Sequence, residues 1–201
     1  MRSLTESVEL DRVLTQRAAS RIPPGVGKVL SAVEEAAEST KLWCAAAVVM
    51  VSLGGRRGRR AAGAGLTALA GAQLISNRLC KQLVDRPRPP KEWFPHDEAD
   101  DRPGSSSFPS GHTAAAVAFT AAVAPAWPAA GAACAVPAAM VALERVQSGA
   151  HYLSDVAAGA AIGLATAWLT RRAPRLVLRY GIRRAAACGP GGSGQIVPSP
   201  R

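Results

Sequence analysis

The sequence predicts an all-α protein, a multi-pass transmembrane helical bundle of about five spans. Long apolar segments without any charged residue alternate with polar segments that carry the acidic and basic residues, although the mean hydropathy of the chain is only +0.09. Aromatic residues make up 4% of the chain, which favours alanine-rich helices packed through small side chains over a large soluble core. A length of 201 residues suits a single domain with one functional site.

The first 40 residues predict two short amphipathic helices at the periphery of the molecule. Pro23, Pro24 and Gly25 separate them, because paired prolines followed by glycine end one helix and permit another to begin. Scattered charges such as Glu9 and Asp11 interrupt any apolar core of the kind found in a cleaved signal peptide. Insertion into a membrane therefore depends on the helices that follow.

Five apolar segments are the candidate membrane helices. The first is short for a span, because its 14 residues at ~1.5 Å rise reach only ~21 Å of a ~30 Å hydrocarbon core. Gln73, Asn77 and Arg78 indicate that the far end of the second faces protein or water rather than lipid. The third and fourth form a helical hairpin. The five segments are residues 42–55, 61–80, 111–123, 129–143 and 151–170.

The order of these crossings places two polar segments, residues 81–110 and 144–150, on one face of the membrane. Arginine clusters at 56–60 and 171–184 fall on the opposite face, which the excess of positive charge identifies as cytoplasmic. The shared polar face is therefore expected to be extracytoplasmic. We expect three regions: a peripheral segment (1–40), a membrane domain that carries the site (41–170) and a basic cytoplasmic tail (171–201) that is disordered at its end.

The charge and the cysteines exclude several classes. A net charge of +10 suits nucleic acid or anionic lipid, but we expect no nucleic-acid partner because no recognition motif accompanies the basic clusters. The four cysteines lack CxxC spacing, so neither zinc nor a disulfide framework is indicated. The acidic stretch from His96 to Asp101 holds metal-ligating side chains, but consecutive acids in a proline-rich loop favour a solvated segment or a lid. We expect no metal and no cofactor.

Two of the three histidines, His112 and His151, lie at the beginnings of predicted membrane helices on the shared polar face. Titratable groups there are costly without partners, which favours a functional cluster. His151 and Asp155 are spaced i, i+4, so that the carboxylate can accept the imidazole N–H and make the other ring nitrogen a nucleophile or base. A helix-surface ion pair is the alternative interpretation of this spacing.

Ser110, Gly111 and His112 predict a helix N-terminus that attracts phosphate. Ser110 can cap the helix, Gly111 lets a ligand approach the backbone, and the free N–H groups point outward at the positive end of the helix dipole. His112, in the first turn, is placed to donate a proton to a leaving oxygen.

Positive charge on the same face indicates an anionic substrate. Lys81 supplies a point charge, and the guanidinium groups of Arg88 and Arg145 can grip phosphate oxygens bidentately. Snorkelling toward lipid headgroups is the alternative for each cation, and it is favoured for Arg86 and Lys91.

In chain order these residues form three blocks, and the long ordered pattern resembles the three-part signature of the type 2 phosphatidic acid phosphatase (PAP2) superfamily. The resemblance covers about residues 61–170. The blocks are Lys81-x6-Arg88-Pro89, Pro109-Ser110-Gly111-His112 and Arg145-x5-His151-x3-Asp155.

The resemblance implies a PAP2/haloperoxidase-like helical core and a metal-independent phosphatase. It implies that His151 attacks phosphorus to give a phosphohistidine, that Asp155 orients His151 and that His112 protonates the leaving group. The residues that it assigns to the phosphoryl oxygens are Lys81, Arg88, Ser110, Gly111 and Arg145.

One position departs from this signature, because Glu144 stands where the third block usually begins with serine. A carboxylate there should repel phosphate unless it points away or forms a salt bridge with an arginine. Arg86, directly before the first block's Pro87, offers a competing phosphate contact.

The expected activity is that of a phosphoric monoester hydrolase in the cell membrane, with its site on the extracytoplasmic side. Its partners would be membrane lipids and a lipid phosphate or diphosphate, of the phosphatidic acid, phosphatidylglycerol phosphate or polyprenyl type. Two alternatives remain open. A non-enzymatic membrane scaffold or lipid-binding protein needs the helices and none of the histidines, and a vanadate-dependent haloperoxidase-like enzyme would use a similar anion pocket.

Overall fold

The computed structural model describes residues 2–94 and 104–187, and the prediction of an all-α protein is confirmed, with no strand among them. Short 3₁₀ turns at Glu38–Thr40 and Lys91–Trp93 and a π-helix at Leu74–Cys80 accompany the α-helices. The α-helices are α1 (Arg2–Ser20), α2 (Pro24–Ala37), α3 (Lys41–Leu53), α4 (Gly55–Gln73), the single turn α5 (Lys81–Leu83), α6 (Gly111–Val123), α7 (Pro128–Gln147) and α8 (Leu153–Ala187).

The helices as far as Arg171 belong to one compact unit, Met1–Arg171. A second unit, Arg172–Arg201, contains the end of α8. The predicted disordered end of the chain lies outside the described residues.

In the part of the chain that the structure describes, three helical stretches are long and apolar enough to cross a membrane: Gly25–Leu53, Pro128–Gln147 and Leu153–Ala173. The first of them extends segment 42–55 to 29 residues by including most of α2 and the 3₁₀ turn. Ser39 and Thr40 in that turn have left-handed φ angles of 52° and 66°, so a kink separates α2 from α3. Helix α6 is apolar but has only 13 residues, or ~20 Å at ~1.5 Å per residue. Helix α4 begins with four arginines at 56, 57, 59 and 60. The count of five spans stays a prediction.

Large side chains from α3, α4, α6 and α7 form the main core. Trp43 and Phe119 meet with ring centroids 5.3 Å apart, and Met50, Leu69 and Val141 are buried in the same cluster. A second cluster consists of buried alanines from α4, α6 and α8. Small residues thus bring these helices close together, as the composition predicted.

Helix α8 approaches α6 closely because two residues at the contact, Gly159 and Gly163, are glycines. A Cβ at Gly159 would collide with the carbonyl oxygen of Ser110, and one at Gly163 would collide with that of Ala114. The same approach lets the Ser110 N–H donate to the Asp155 carbonyl at 3.0 Å. The beginnings of α6 and α8 therefore lie side by side.

The first two helices, which the sequence placed at the periphery, pack against α7. The predicted break between them is present, since α1 ends at Ser20 and α2 begins at Pro24. Side chains of both helices contact residues of the predicted site, as described below.

Candidate active site

A small cavity lies where α4, α6, α7 and α8 begin or end, and six of the eight predicted site residues line it. Its volume is about 90 Å³, room for a single small anion together with the atoms that react with it. Positive charge and imidazole nitrogen dominate its wall. The lining residues are Gln73, Asn77, Lys81, Arg88, Gly111, His112, Arg145 and His151.

His151 lies just before α8 and is almost completely buried, with 2% of its surface exposed. Its Nδ1 is 2.5 Å from the carbonyl oxygen of Ser107. Because a carbonyl oxygen only accepts, Nδ1 must carry the hydrogen, and Nε2 is left with its lone pair. Burial lowers the pKa of His151 well below its ordinary value, and the nearby positive charges, Arg88 foremost, lower this pKa further, against the opposing effect of the Ser107 hydrogen bond. The ring is therefore neutral at neutral pH.

Asp155 is fully buried and lies behind His151, but it does not accept the ring hydrogen. Its Oδ2 is 3.9 Å from His151 Nδ1, too far for a hydrogen bond, and accepts the backbone N–H of Tyr152 at 2.9 Å. Its Oδ1 accepts from Arg86 Nη1 at 2.5 Å. The i, i+4 spacing predicted a direct hydrogen bond between this carboxylate and the imidazole. The ring instead donates to the Ser107 carbonyl, because the loop before α6 places that oxygen closer to Nδ1 than the carboxylate.

Pairing between the two ends of the polar loop positions Arg88 and Lys81. Ser107 donates its N–H to the Arg86 carbonyl at 2.9 Å, which brings Ser105 beside Arg88. Arg88 then donates to the Ser105 and Ala150 carbonyls at 3.2 and 2.7 Å. Burial, and the charge of Arg88, lower the pKa of Lys81.

The second block folds as the sequence predicts, as the beginning of α6. Ser110 is the N-cap, and its Oγ accepts from the Thr113 N–H at 3.4 Å. Ser110 is fully buried and does not line the cavity, in contrast to Gly111 and His112. A Cβ at Gly111 would lie 2.6 Å from Asn77 Oδ1, so the absence of a side chain is what allows the π-helix to approach.

Two carboxylates hold Arg145. Glu144 accepts from Arg145 Nε at 2.5 Å, which is the salt bridge that the sequence offered as one way to accommodate a carboxylate at this position. Glu34, from α2, lies 2.8 Å from Arg145 Nη2 and 3.6 Å from His112 Nε2. The guanidinium of Arg145 is therefore neutralised while still facing the cavity.

Arg86 is not a snorkelling side chain and does not line the cavity. It donates to Asp155 and, at 2.6 Å, to Asp11 of α1, and it lies 4.1 Å from the centre of the Tyr152 ring. A guanidinium with two carboxylate partners has no need to reach water or headgroups.

Several residues of this region were not assigned to the site from the sequence. The sequence could have placed Gln73 and Asn77 at the site, because they precede Lys81 at steps of four residues and so share a helix face with it. No sequence pattern indicated Glu34 or Asp11, since their partners are more than 70 residues away along the chain.

Other sequence features stand apart from the cavity. The acidic stretch 96–101 lies outside the described residues. Within residues 2–94 and 104–187, no group of three or more His, Cys, Asp or Glu side chains is arranged to hold a metal ion. Cys44, Cys80 and Cys134 are free thiols there.

Comparison with known proteins gives one family and two similar folds. A model of the PAP2 superfamily matches residues 61–178. A transmembrane PAP2-type phosphatidylglycerolphosphate phosphatase from Bacillus subtilis is 21% identical, with a TM-score of 0.66 over 87% of this chain and 89% of that one. Aquifex aeolicus LpxE is 20% identical, with a TM-score of 0.61 over 79% of this chain and 93% of that one. No curated protein sequence matches.

Proposed function

The chain belongs to the PAP2 superfamily, whose model matches more than half of its length, and from that premise we propose that it is a membrane phosphatase hydrolysing a lipid phosphate or diphosphate monoester. The observation that carries the proposal is the cavity itself. It places three cations and two imidazoles around a space for one small anion. Cations hold phosphoryl oxygens, and the imidazoles supply a nucleophile and a proton.

The first step is attack by His151 on phosphorus. Nε2 has a free lone pair because Nδ1–H donates to the Ser107 carbonyl, and burial keeps the ring neutral by lowering its pKa. A bond forms between Nε2 and phosphorus while the bond from phosphorus to the leaving oxygen breaks. The product is a phosphohistidine and the departing alcohol or phosphate.

His112 supplies the proton that the leaving oxygen needs. Its ring lines the same cavity, and Glu34 lies 3.6 Å from its Nε2. Burial and the charges of Arg145, Lys81 and Arg88 disfavour the protonated ring. The negative charge of the substrate phosphate offsets those cations and lets His112 carry the proton. After the leaving group departs, the neutral ring can take a proton from water as that water attacks phosphorus. The Nε2–phosphorus bond then breaks, and inorganic phosphate and free His151 are restored.

The remaining residues hold the phosphoryl oxygens as charge develops. Lys81, Arg88 and Arg145 face the cavity, and Gly111 offers a backbone N–H in the first turn of α6. Ser110 does not face the cavity and contributes by capping α6. Asp155 fixes the turn that carries His151 by accepting the Tyr152 N–H.

The proportions of the cavity favour a lipid substrate. About 90 Å³ holds the phosphoryl group and little else, so the rest of the substrate must lie outside. Apolar helices that adjoin the site, α6, α7 and α8, match a substrate whose tails stay in the bilayer. A phosphate at headgroup depth then needs no extraction from the membrane.

We place the site on the extracytoplasmic side. The arginines of α4 lie at its beginning while Gln73 at its end lines the cavity, and α8 begins beside His151 and reaches Arg171 and Arg172 further along. Positive charge is thus at the opposite helix ends. A membrane-impermeant thiol reagent on intact cells should label Gly104→Cys and spare Arg56→Cys in a cysteine-free chain, and the reverse pattern would contradict this orientation.

A panel of lipid phosphates assayed with chelator present tests the function. His151→Ala should lower kcat by roughly 10⁴-fold or more, and His112→Ala by ~10²–10⁴-fold, whereas Arg12→Ala, on the exposed face of α1, should match the native chain. Acid-labile phosphate should be trapped on the native chain and absent from His151→Ala. Undiminished phosphate release by His151→Ala would refute the proposal.

A further inference from the structure

A charged cluster behind His151 joins the first helix of the chain to the last. Arg86 donates from Nη2 to Asp11 at 2.6 Å and from Nη1 to Asp155 at 2.5 Å. Arg86 Nη1 also donates to Ser154 Oγ at 2.8 Å. Asp11 belongs to none of the three sequence blocks, yet its side chain is only 13% exposed.

The same face of α1 also supplies the cap of α8. The first N–H groups of a helix have no partner within it and require an oxygen from elsewhere. The N–H of Leu153 donates to Thr15 Oγ1 at 3.1 Å, and that of Ser154 donates to Asp11 Oδ1 at 3.1 Å. Asp11 and Thr15 are spaced i, i+4, so both oxygens face one way.

The sequence around α8 explains why its cap comes from a distant helix. Tyr152 occupies the position before the first helical residue, and its side chain has no short acceptor that could reach the following amides. Asp155 does its part of a capping box by accepting the Tyr152 N–H at 2.9 Å. The side-chain cap that a local serine or threonine would supply is replaced by oxygens from α1, which accept the N–H groups of Leu153 and Ser154.

We propose that α1 is part of the catalytic apparatus, with Asp11 and Thr15 as positioning residues that fix the first turn of α8 and thereby aim His151 Nε2 into the cavity. They act through Leu153, Ser154 and the Arg86–Asp155 pair, and they touch no substrate. The inference rests on the proposed function, because aiming His151 matters for rate only if His151 takes the phosphoryl group.

Four variants separate positioning from general support of the fold. Asp11→Ala removes the cap and the charge, Asp11→Asn keeps an acceptor oxygen but loses the charge, and Thr15→Val removes the hydroxyl while Thr15→Ser restores it. Asp11→Ala should lower kcat by roughly 10–100-fold with KM within about twofold, because the phosphate-holding cations are unchanged. Thr15→Val should lower kcat less, and Thr15→Ser should recover it.

A second measurement does not depend on activity. Hydrogen exchange at the amides of Leu153 and Ser154 should quicken in Asp11→Ala and Thr15→Val, with the middle of α6 and α7 unchanged. Glu9→Ala is the matched control, since Glu9 lies on α1 and pairs only at 3.8 Å with exposed Arg12. It should leave both readouts at native values.

The outcomes are distinguishable from those of the proposed function. If the native chain releases phosphate and Asp11→Ala has the native kcat, the inference about α1 is wrong and the proposed function stands. Unchanged exchange at Leu153 and Ser154 overturns the inference as well. A native chain that releases no phosphate overturns the proposed function and the catalytic part of the inference, and hydrogen exchange then decides whether α1 holds the first turn of α8.

Discussion

Arg86 and Arg145 have nearly the same surroundings and different places in the molecule. Each guanidinium lies between two carboxylates, Asp11 and Asp155 for one, Glu34 and Glu144 for the other. In each case one carboxylate comes from the N-terminal 40 residues. Arg145 nonetheless lines the cavity, whereas Arg86 lies behind it against Tyr152.

The comparison shows that ion pairing with carboxylates does not by itself determine whether an arginine acts on substrate or on the structure behind the site. An arginine at the cavity wall can exchange part of its carboxylate contact for phosphate, because it faces the space in which we propose that the anion binds. An arginine behind the wall has a buried Asp155 to neutralise and a helix end to hold, so its effect on an anion is indirect. Four measurements can sharpen or break this contrast.

The largest effect is expected from Arg145→Gln. It removes a cation that we propose holds phosphate and leaves Glu34 and Glu144 without their partner beside the cavity, so kcat/KM should fall by roughly 10³-fold with a raised KM. Steady-state kinetics on a lipid phosphate measures it, with Arg145→Lys as the partner variant that keeps the charge and loses the planar fork. A native KM in Arg145→Gln would remove Arg145 from the anion site.

Arg86→Gln should act on stability more than on binding. It leaves Asp155, which is completely buried, without its ion-pair partner, and breaking such a pair costs about 3–5 kcal/mol. Thermal unfolding in detergent should show this loss for Arg86→Gln while KM stays near the native value. Arg145→Gln, which leaves the buried Glu144 without its partner, should lower stability and raise KM together. A strongly raised KM in Arg86→Gln would erase the contrast.

Glu144→Ser should improve phosphate binding. The substitution removes one of the two negative charges that hold Arg145, so inhibition by inorganic phosphate should strengthen by about 3–10-fold. Glu35→Ser, an exposed neighbour of Glu34 on α2, is the control and should change nothing. Weaker inhibition in Glu144→Ser would mean that Glu144 orients Arg145 rather than competing with phosphate.

The smallest effect concerns pH. His151 must be neutral to attack, and burial with the nearby cations lowers its pKa, so the acid limb of kcat/KM should lie below the ordinary histidine value of ~6.5. Arg145→Gln should move that limb to higher pH, because one of the charges that lower the pKa is lost. An acid limb at or above ~6.5 in the native chain would contradict the buried, neutral ring.

Much of the site was accessible from the sequence because its blocks are local. Lys81 with Arg88, Ser110 with Gly111 and His112, and Arg145 with His151 each lie within a few residues, and helix geometry then fixes their direction. Six of these seven residues line one cavity, and Ser110 caps the helix behind it. The roles in phosphoryl transfer stay predictions.

The acceptor of the His151 ring hydrogen was not accessible in this way. Spacing alone favoured Asp155, but spacing describes one helix and ignores the loop packed against it. Ser107 lies 44 residues earlier and its carbonyl reaches Nδ1 first. Arg86 was misassigned to lipid headgroups for the same reason, since neither of its carboxylate partners is near it in the chain.

By itself, the sequence determined the helical class, the positions of the apolar segments and the identity of most groups that line the cavity, because periodicity and short spacings are properties of a few adjacent turns. Only the tertiary structure decided that α1 caps α8, that Glu34 and Glu144 share Arg145, and that a carbonyl rather than a carboxylate holds the His151 ring. Those choices depend on which of many polar groups comes within about 3 Å of another, and packing between helices distant in the chain sets that distance.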